Sequence, residues 1–190
     1  FGYHFMDEAS SMAFGAALYS ESEEVNFASC HESDNDYGGT SAPNDFMGPA
    51  LWSSDLDVYA MVNQFPFGAL GGSHLDMLHQ SPLCMGITHQ EGHAFFVTDG
   101  ANGHIVRYDF REPHVPGGDD HSDGHVSRYP ELTFTRVPDI PGHLFMDGNN
   151  LYYADTGEGV IRVADMSTGS VAGALVPDNE PLAVFNRYRG

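Results

Sequence analysis

Lysine is missing altogether from the 190 residues, and the seven basic side chains, all arginine, face 27 acidic ones for a formal net charge of −20 at neutral pH. A surface this acidic repels phosphate backbones, which excludes a nucleic-acid partner. It attracts cations and suits a saline medium, where screening relieves self-repulsion. No apolar run approaches the roughly 18 residues that cross a bilayer, so no membrane span is expected. The opening Phe1-Gly2-Tyr3 has no initiator Met, and no basic stretch leads into a long apolar run. The chain is therefore expected to be a mature form or an internal piece. Cysteine is scarce: Cys30 and Cys84 stand 54 residues apart, and no CxxC or Cys/His zinc spacing occurs. The pair reads either as a disulfide, which needs an oxidising compartment and Cα atoms within roughly 7 Å, or as two buried thiols. Long helices are excluded by 22 glycines and 11 prolines. There is no GxSxG, no HExxH and no phosphate-cradling glycine loop ending in Lys.

What the chain does have is a core's worth of apolar residues, 41% of the sequence, and an internal repeat. Residues 82–109 fall on 138–165 without a gap at a shift of 56. Seven of the 28 positions are identical: Pro82/Pro138, Gly86/Gly142, Gly92/Gly148, Asp99/Asp155, Gly103/Gly159, Ile105/Ile161 and Asp109/Asp165. Each copy reads as two strands around a tight turn. Ala94–Thr98 and His104–Tyr108 flank Asp99–Gly103 in the first copy; Leu151–Ala154 and Val160–Ala164 flank Asp155–Gly159 in the second. A more divergent unit precedes them, with strands expected at Ser11–Gly15, Val25–His31, Ala50–Ser53 and Asp57–Val62, and a polar insertion at Ser33–Asp45. Ser170–Val176 is expected to close the last unit as its outer strand, and Leu182–Arg187 to begin another.

The stretches Pro82-Leu83-Cys84-Met85-Gly86-Ile87, Phe96-Val97-Thr98-Asp99-Gly100 and Leu151-Tyr152-Tyr153-Ala154-Asp155-Thr156-Gly157-Glu158-Gly159-Val160-Ile161-Arg162-Val163 resemble NHL repeats. That resemblance is good over about 82–165 and weak before residue 80. It implies an all-β chain of NHL-like β-propeller blades: a divergent blade over about 10–65, repeat blades over about 82–135 and 138–177, and the start of a further one at 178–190. Propellers of this type commonly have six blades. About three to four are present, so the ring is expected to be completed by another chain or by the remainder of a longer one. Within the same fold family, Pro141-Gly142-His143-Leu144 is similar to the Pro-His-x-Leu lead-ins with which peptidylglycine amidating lyases hold an axial zinc. One residue more separates Pro from His here, and the preceding repeat has Ile87 at the equivalent place.

Eleven histidines give the chain several candidate sites. Ser73-His74-Leu75-Asp76-Met77-Leu78-His79 precedes a repeat, so His74, Asp76 and His79, with His143, are axial metal candidates; imidazole and carboxylate together suit Zn or Fe. The competing reading is a turn capped by Asp76 or Ser73. Asp119, Asp120, His121 and Asp123 form a calcium-like loop, in which Asp119, His121, Asp123 and Gly124 take loop positions one, three, five and six. An EF-hand is excluded because Pro130 stands where the bidentate Glu belongs, with Glu131 one place late. A looser Ca2+ site or a solvated acidic loop remains. Asp99 and Asp155 are expected to cap the turns that follow them. Asp34-Asn35-Asp36 reads as a plain polar loop, and Cys84 as part of an apolar strand and not a nucleophile.

Two functions of different class fit these readings. One is a secreted, extracellular or periplasmic recognition or structural module, stabilised by metal, with Ca2+ ahead of Zn2+ or Fe. The other is a metal-dependent lyase or hydrolase with an axial site drawn from His74, His79 and His143.

Overall fold

The computed structural model describes residues 8–17, 25–34, 47–59, 74–114, 116, 120–175 and 182–186. The described chain is mostly β with almost no helix, arranged as three antiparallel units. The first is a four-stranded sheet of β1 (Ala9–Ala17), β2 (Val25–His31), β3 (Ala50–Ser53) and β4 (His74–Met77), in that spatial order. A single helical turn, α1 (Leu56–Tyr59), follows β3. The second unit runs β5 (Ile87–Glu91), β6 (Ala94–Asp99), β7 (His104–Asp109) and β8 (His125–Thr133). The third has β9 (Leu144–Asp147), β10 (Asn150–Asp155) and β11 (Val160–Asp165), with β11 at its edge. The hairpin of β12 (Ser170–Leu175) and β13 (Leu182–Asn186) joins the second unit, with β13 parallel to β8.

The repeat is reproduced down to the backbone. Asp99 closes β6 and Asp155 closes β10, and the glycine four residues after each, Gly103 or Gly159, takes a positive φ of 70° or 68°. Both aspartates cap the turn as the sequence implies. Asn102 N–H donates to Asp99 Oδ1 at 3.0 Å, and Glu158 N–H to Asp155 Oδ1 at 3.2 Å.

Strand alternation then sorts the core. Phe95 and Val97 point from β6 towards the first unit, into a cluster with Ala28, Cys30, Leu51 and Leu75. Their neighbour Phe96 points the other way, with Ile105 and Tyr129, against Leu144, Leu151 and Tyr153 of the third unit. The second unit is thus covered on both faces, which is why all six residues of β6 are buried. Each such apolar side chain contributes roughly 1.5–3 kcal/mol.

Covalent and polar fasteners cross the same boundaries. Cys30 and Cys84 are joined in a disulfide with Cα atoms 5.6 Å apart, tying β2 to the segment that leads into β5. Cys84 N–H also donates to His31 C=O at 2.9 Å. Glu32, just after β2, accepts from the Arg136 guanidinium and, at 3.2 Å, from Asp139 N–H before the third unit. Gly86 and Gly142, equivalent in the repeat, meet where the second and third units touch; a Cβ on Gly86 would sit 1.5 Å from the Gly142 carbonyl oxygen.

Two expected strands differ. Over the expected strand Asp57–Val62, residues up to Tyr59 belong to α1, because the Asp55 carboxylate accepts Asp57 N–H at 2.8 Å and starts a helical turn; residues 60–62 lie outside the described residues. Ser170–Val176 supplies β12, yet β12 pairs with β13 and not with β11, so the third unit has three strands among the described residues.

Candidate metal centre

β4 carries the first candidate group and lies at the edge of its sheet farthest from β1. The first strands of the three units touch one another, β1 on β5 and β5 on β9. His74 and Asp76 therefore sit on the strand of the first unit farthest from β1 and those contacts. The edge is not bare. The connection from β7 to β8 folds over it, and His114 N–H donates to Leu75 C=O at 2.9 Å.

That connection brings two more imidazoles to β4. His114 lies against His74 with ring centroids 5.1 Å apart, and His121 is 4.9 Å from His114 and 5.7 Å from His74. One ligand nitrogen from each of the three lies within 4.8 Å of the others. His74 and His121 are buried and His114 is half-buried. His79 stands next to His121, centroids 6.5 Å apart, and its backbone carbonyl is held by the Tyr108 hydroxyl at 2.5 Å. Beneath the cluster Trp52 meets the His74 ring edge-on at 6.3 Å and donates from its indole N–H to Ser29 Oγ.

Asp76 orients the cluster. Its Oδ1 accepts His121 Nδ1–H at 2.8 Å and Met77 N–H at 2.7 Å. A His121 ring whose single proton sits on Nδ1 in this hydrogen bond presents a lone pair at Nε2. His121 Nε2 and Asp76 Oδ2 are both buried and make no hydrogen bond among the described residues. Burial pushes the Asp76 carboxyl above the usual carboxylate range, against the hydrogen bond and charge of His121, the charge of His114 and the Met77 amide.

The donor set decides the metal class. Three imidazoles backed by a carboxylate suit Zn, Cu, Ni or Fe, whereas Ca2+ takes six to eight oxygens. The three described residues of the calcium-like loop, Asp120, His121 and Asp123, each have a different partner. His121 turns inward to Asp76, Asp120 Oδ1 accepts Ser122 N–H and Oγ–H, and Asp123 Oδ2 accepts Glu112 N–H at 3.0 Å. Ser122 thereby holds the exposed Asp120 carboxyl below its ordinary value. Asp119 lies outside the described residues. His143, just before β9, is exposed and belongs to no ligand group among the described residues. Sequence reading missed His114. The signal for it was the His-x6-His spacing of His114 and His121 within one connection.

No protein-family profile, curated protein or solved structure matches the chain.

Proposed function

We propose that this chain is a section of an NHL-like β-propeller that works outside the cell as a metal-stabilised recognition or structural module. One observation carries the reading. Ile105 is fully buried under the third unit, while Ile161, the same position 56 residues later, is 77% exposed. Each repeat covers the one before it, and the last one described lacks its cover. Phe145, Val160 and Val163 share the exposed end, and Met12, Phe14 and Leu56 are exposed on the first unit. Apolar surface of this kind belongs to an interface. The partner is a further unit of the same kind, in another chain or in the remainder of a longer one. The Cys30–Cys84 disulfide supports an oxidising, extracellular or periplasmic setting.

A stack fastened between its units by a disulfide and a histidine cluster suits a rigid scaffold better than a catalyst. The alternative lyase or hydrolase reading draws its only support from the three-histidine count, which leaves one tetrahedral position open. Size-exclusion chromatography with light scattering tests the module. The 190-residue chain is expected to associate with rising concentration; a compact, monodisperse monomer at every concentration would overturn the proposal.

A further inference from the structure

We propose that His74, His114 and His121 form a binding site for one zinc-class divalent ion, which fastens the β7–β8 connection of the second unit onto the edge strand of the first, with Asp76 as its positioning residue. This names the metal left open in the module reading and rests on that reading only for its biological purpose.

The case begins with placement. The three rings come from two units that adjoin only through folding: His74 from β4, His114 and His121 from a connection 40 or more residues further on. Their ligand nitrogens lie within 4.8 Å of one another. Bonds of 2.0–2.1 Å at a tetrahedral angle need about 3.4 Å between nitrogens, a closure that small ring rotations supply. Burial adds a second argument. His121 Nε2 is enclosed with no hydrogen-bond partner among the described residues, and a lone pair left in that state is destabilising unless something accepts it. A metal ion does so. Third, Asp76 accepts from the far nitrogen of the same ring at 2.8 Å. That is the carboxylate–histidine–metal arrangement, which fixes the tautomer and raises the basicity of the ligand. A purely structural histidine would not need a ring nitrogen within 4.8 Å of nitrogens on two further imidazoles.

Two anchors already hold the connection near β4: the His114 N–H to Leu75 C=O bond and the Asp76–His121 bond. An ion would add a third, joining both units directly. The acidic surface raises the local concentration of divalent cations around it.

The test uses the full oxidised chain, stripped by a chelator and titrated with Zn2+ alone or Co2+ alone. Bound metal is counted by elemental analysis, and affinity is measured by competition with a chromophoric chelator. Trp52, the single tryptophan of the chain, reports directly, because a paramagnetic Co2+ on His74 quenches its fluorescence. The expected result is one ion per chain, a tetrahedral Co2+ absorption spectrum and quenched Trp52. His121→Ala and His114→Gln should each weaken binding at least 100-fold. His114 is only half-buried, so its variant keeps the test decisive if His121→Ala fails to fold. Asp76→Asn should weaken binding roughly 10–100-fold while the tetrahedral Co2+ spectrum persists at saturation, which a general loss of structure would not give. Undiminished binding in both histidine variants would overturn the site. So would absence of Zn2+ and Co2+ binding, or Ca2+ binding lost on Asp120→Asn and Asp123→Asn. That last result would leave a metal-stabilised module standing, and the oligomer measurement tests the module separately.

Discussion

Asp99 and Asp155 stand 56 residues apart and do the same work: each ends a strand and accepts the backbone N–H three residues on. Their counter-ions differ. Asp99 is paired with Arg128, whose side chain is itself buried, and Arg128 also donates to Gln80 C=O. Asp155 is paired with Arg162 at 2.8 Å, an arginine that is largely exposed, and also accepts Thr135 N–H at 3.0 Å. Removing one partner of a buried pair strands the other charge. Asp99→Ala is therefore expected to cost about 3–5 kcal/mol, and Asp155→Ala about 1–3 kcal/mol. Urea denaturation of the two variants checks the order; equal losses would show that Arg128 finds another partner.

The Asp155 contacts also predict a response to acid. Burial acts most strongly on this carboxyl and would raise its pKa, but hydrogen bonds from Thr135, Arg162 and Glu158 together outweigh it and hold the group below the usual carboxylate range. A carboxyl depressed in the folded state contributes stability that is complete above its unfolded pKa, near 4, and is lost as pH falls through the folded value. Thermal unfolding between neutral pH and the acid limit should show a loss below about pH 4. Asp155→Asn should flatten part of that slope without changing it above pH 6.

The disulfide closes a loop of 54 residues. Chain-entropy arguments give such a link about 4 kcal/mol of stability. Replacing Cys30 and Cys84 together by Ser should lower stability by that order. Reduction should loosen the boundary between the first and second units, with faster hydrogen exchange in β2 than in β10.

Gly86→Ala probes the boundary between the second and third units. Its Cβ would meet backbone first, the Gly142 carbonyl oxygen at 1.5 Å and carbon at 2.7 Å, and also Leu144 Cδ1 at 2.7 Å; the backbone clash cannot be relieved by turning a side chain. The cost is expected to exceed about 3 kcal/mol. Gly92→Ala is the control: nothing lies within 4 Å of its Cβ, and only its φ of +48° opposes the change, so about 1 kcal/mol is expected.

The repeat, the strands β6, β7, β10 and β11, and both Asp caps were legible in the sequence because they are written locally, in alternating apolar residues and Asp-to-Gly turns. The disulfide was open between two readings until β2 and the lead-in to β5 ran side by side. α1 was hidden in a β-like composition, since one carboxylate at Asp55 decided it. The metal candidates show the limit most plainly. His74 and Asp76 were visible in one group and His121 in another. His121 fell into a calcium-like pattern because the local spacing of Asp119, His121 and Asp123 matches one. Only the fold of the β7–β8 connection over β4 brings them together with His114, and no residue pattern within a short window encodes that long-range contact.

Ile105 and Ile161 give the sharpest separation of stability from assembly. Ile105 packs between Leu144, Leu151 and Tyr153 of the next unit, so Ile105→Ala opens a cavity and should cost about 2–5 kcal/mol. Ile161 has no such neighbours: it is 77% exposed on β11. Ile161→Ala should therefore change unfolding stability by less than about 0.5 kcal/mol in dilute solution. Ile161→Asp should abolish concentration-dependent association while leaving the circular dichroism spectrum and the Cys30–Cys84 bond intact. A charge there would have to be desolvated in any interface that covers the third unit as the third unit covers the second. If the chain associates and Ile161→Asp associates as strongly, the interface lies elsewhere, and the exposed Met12 and Phe14 of the first unit become the surface to mutate next.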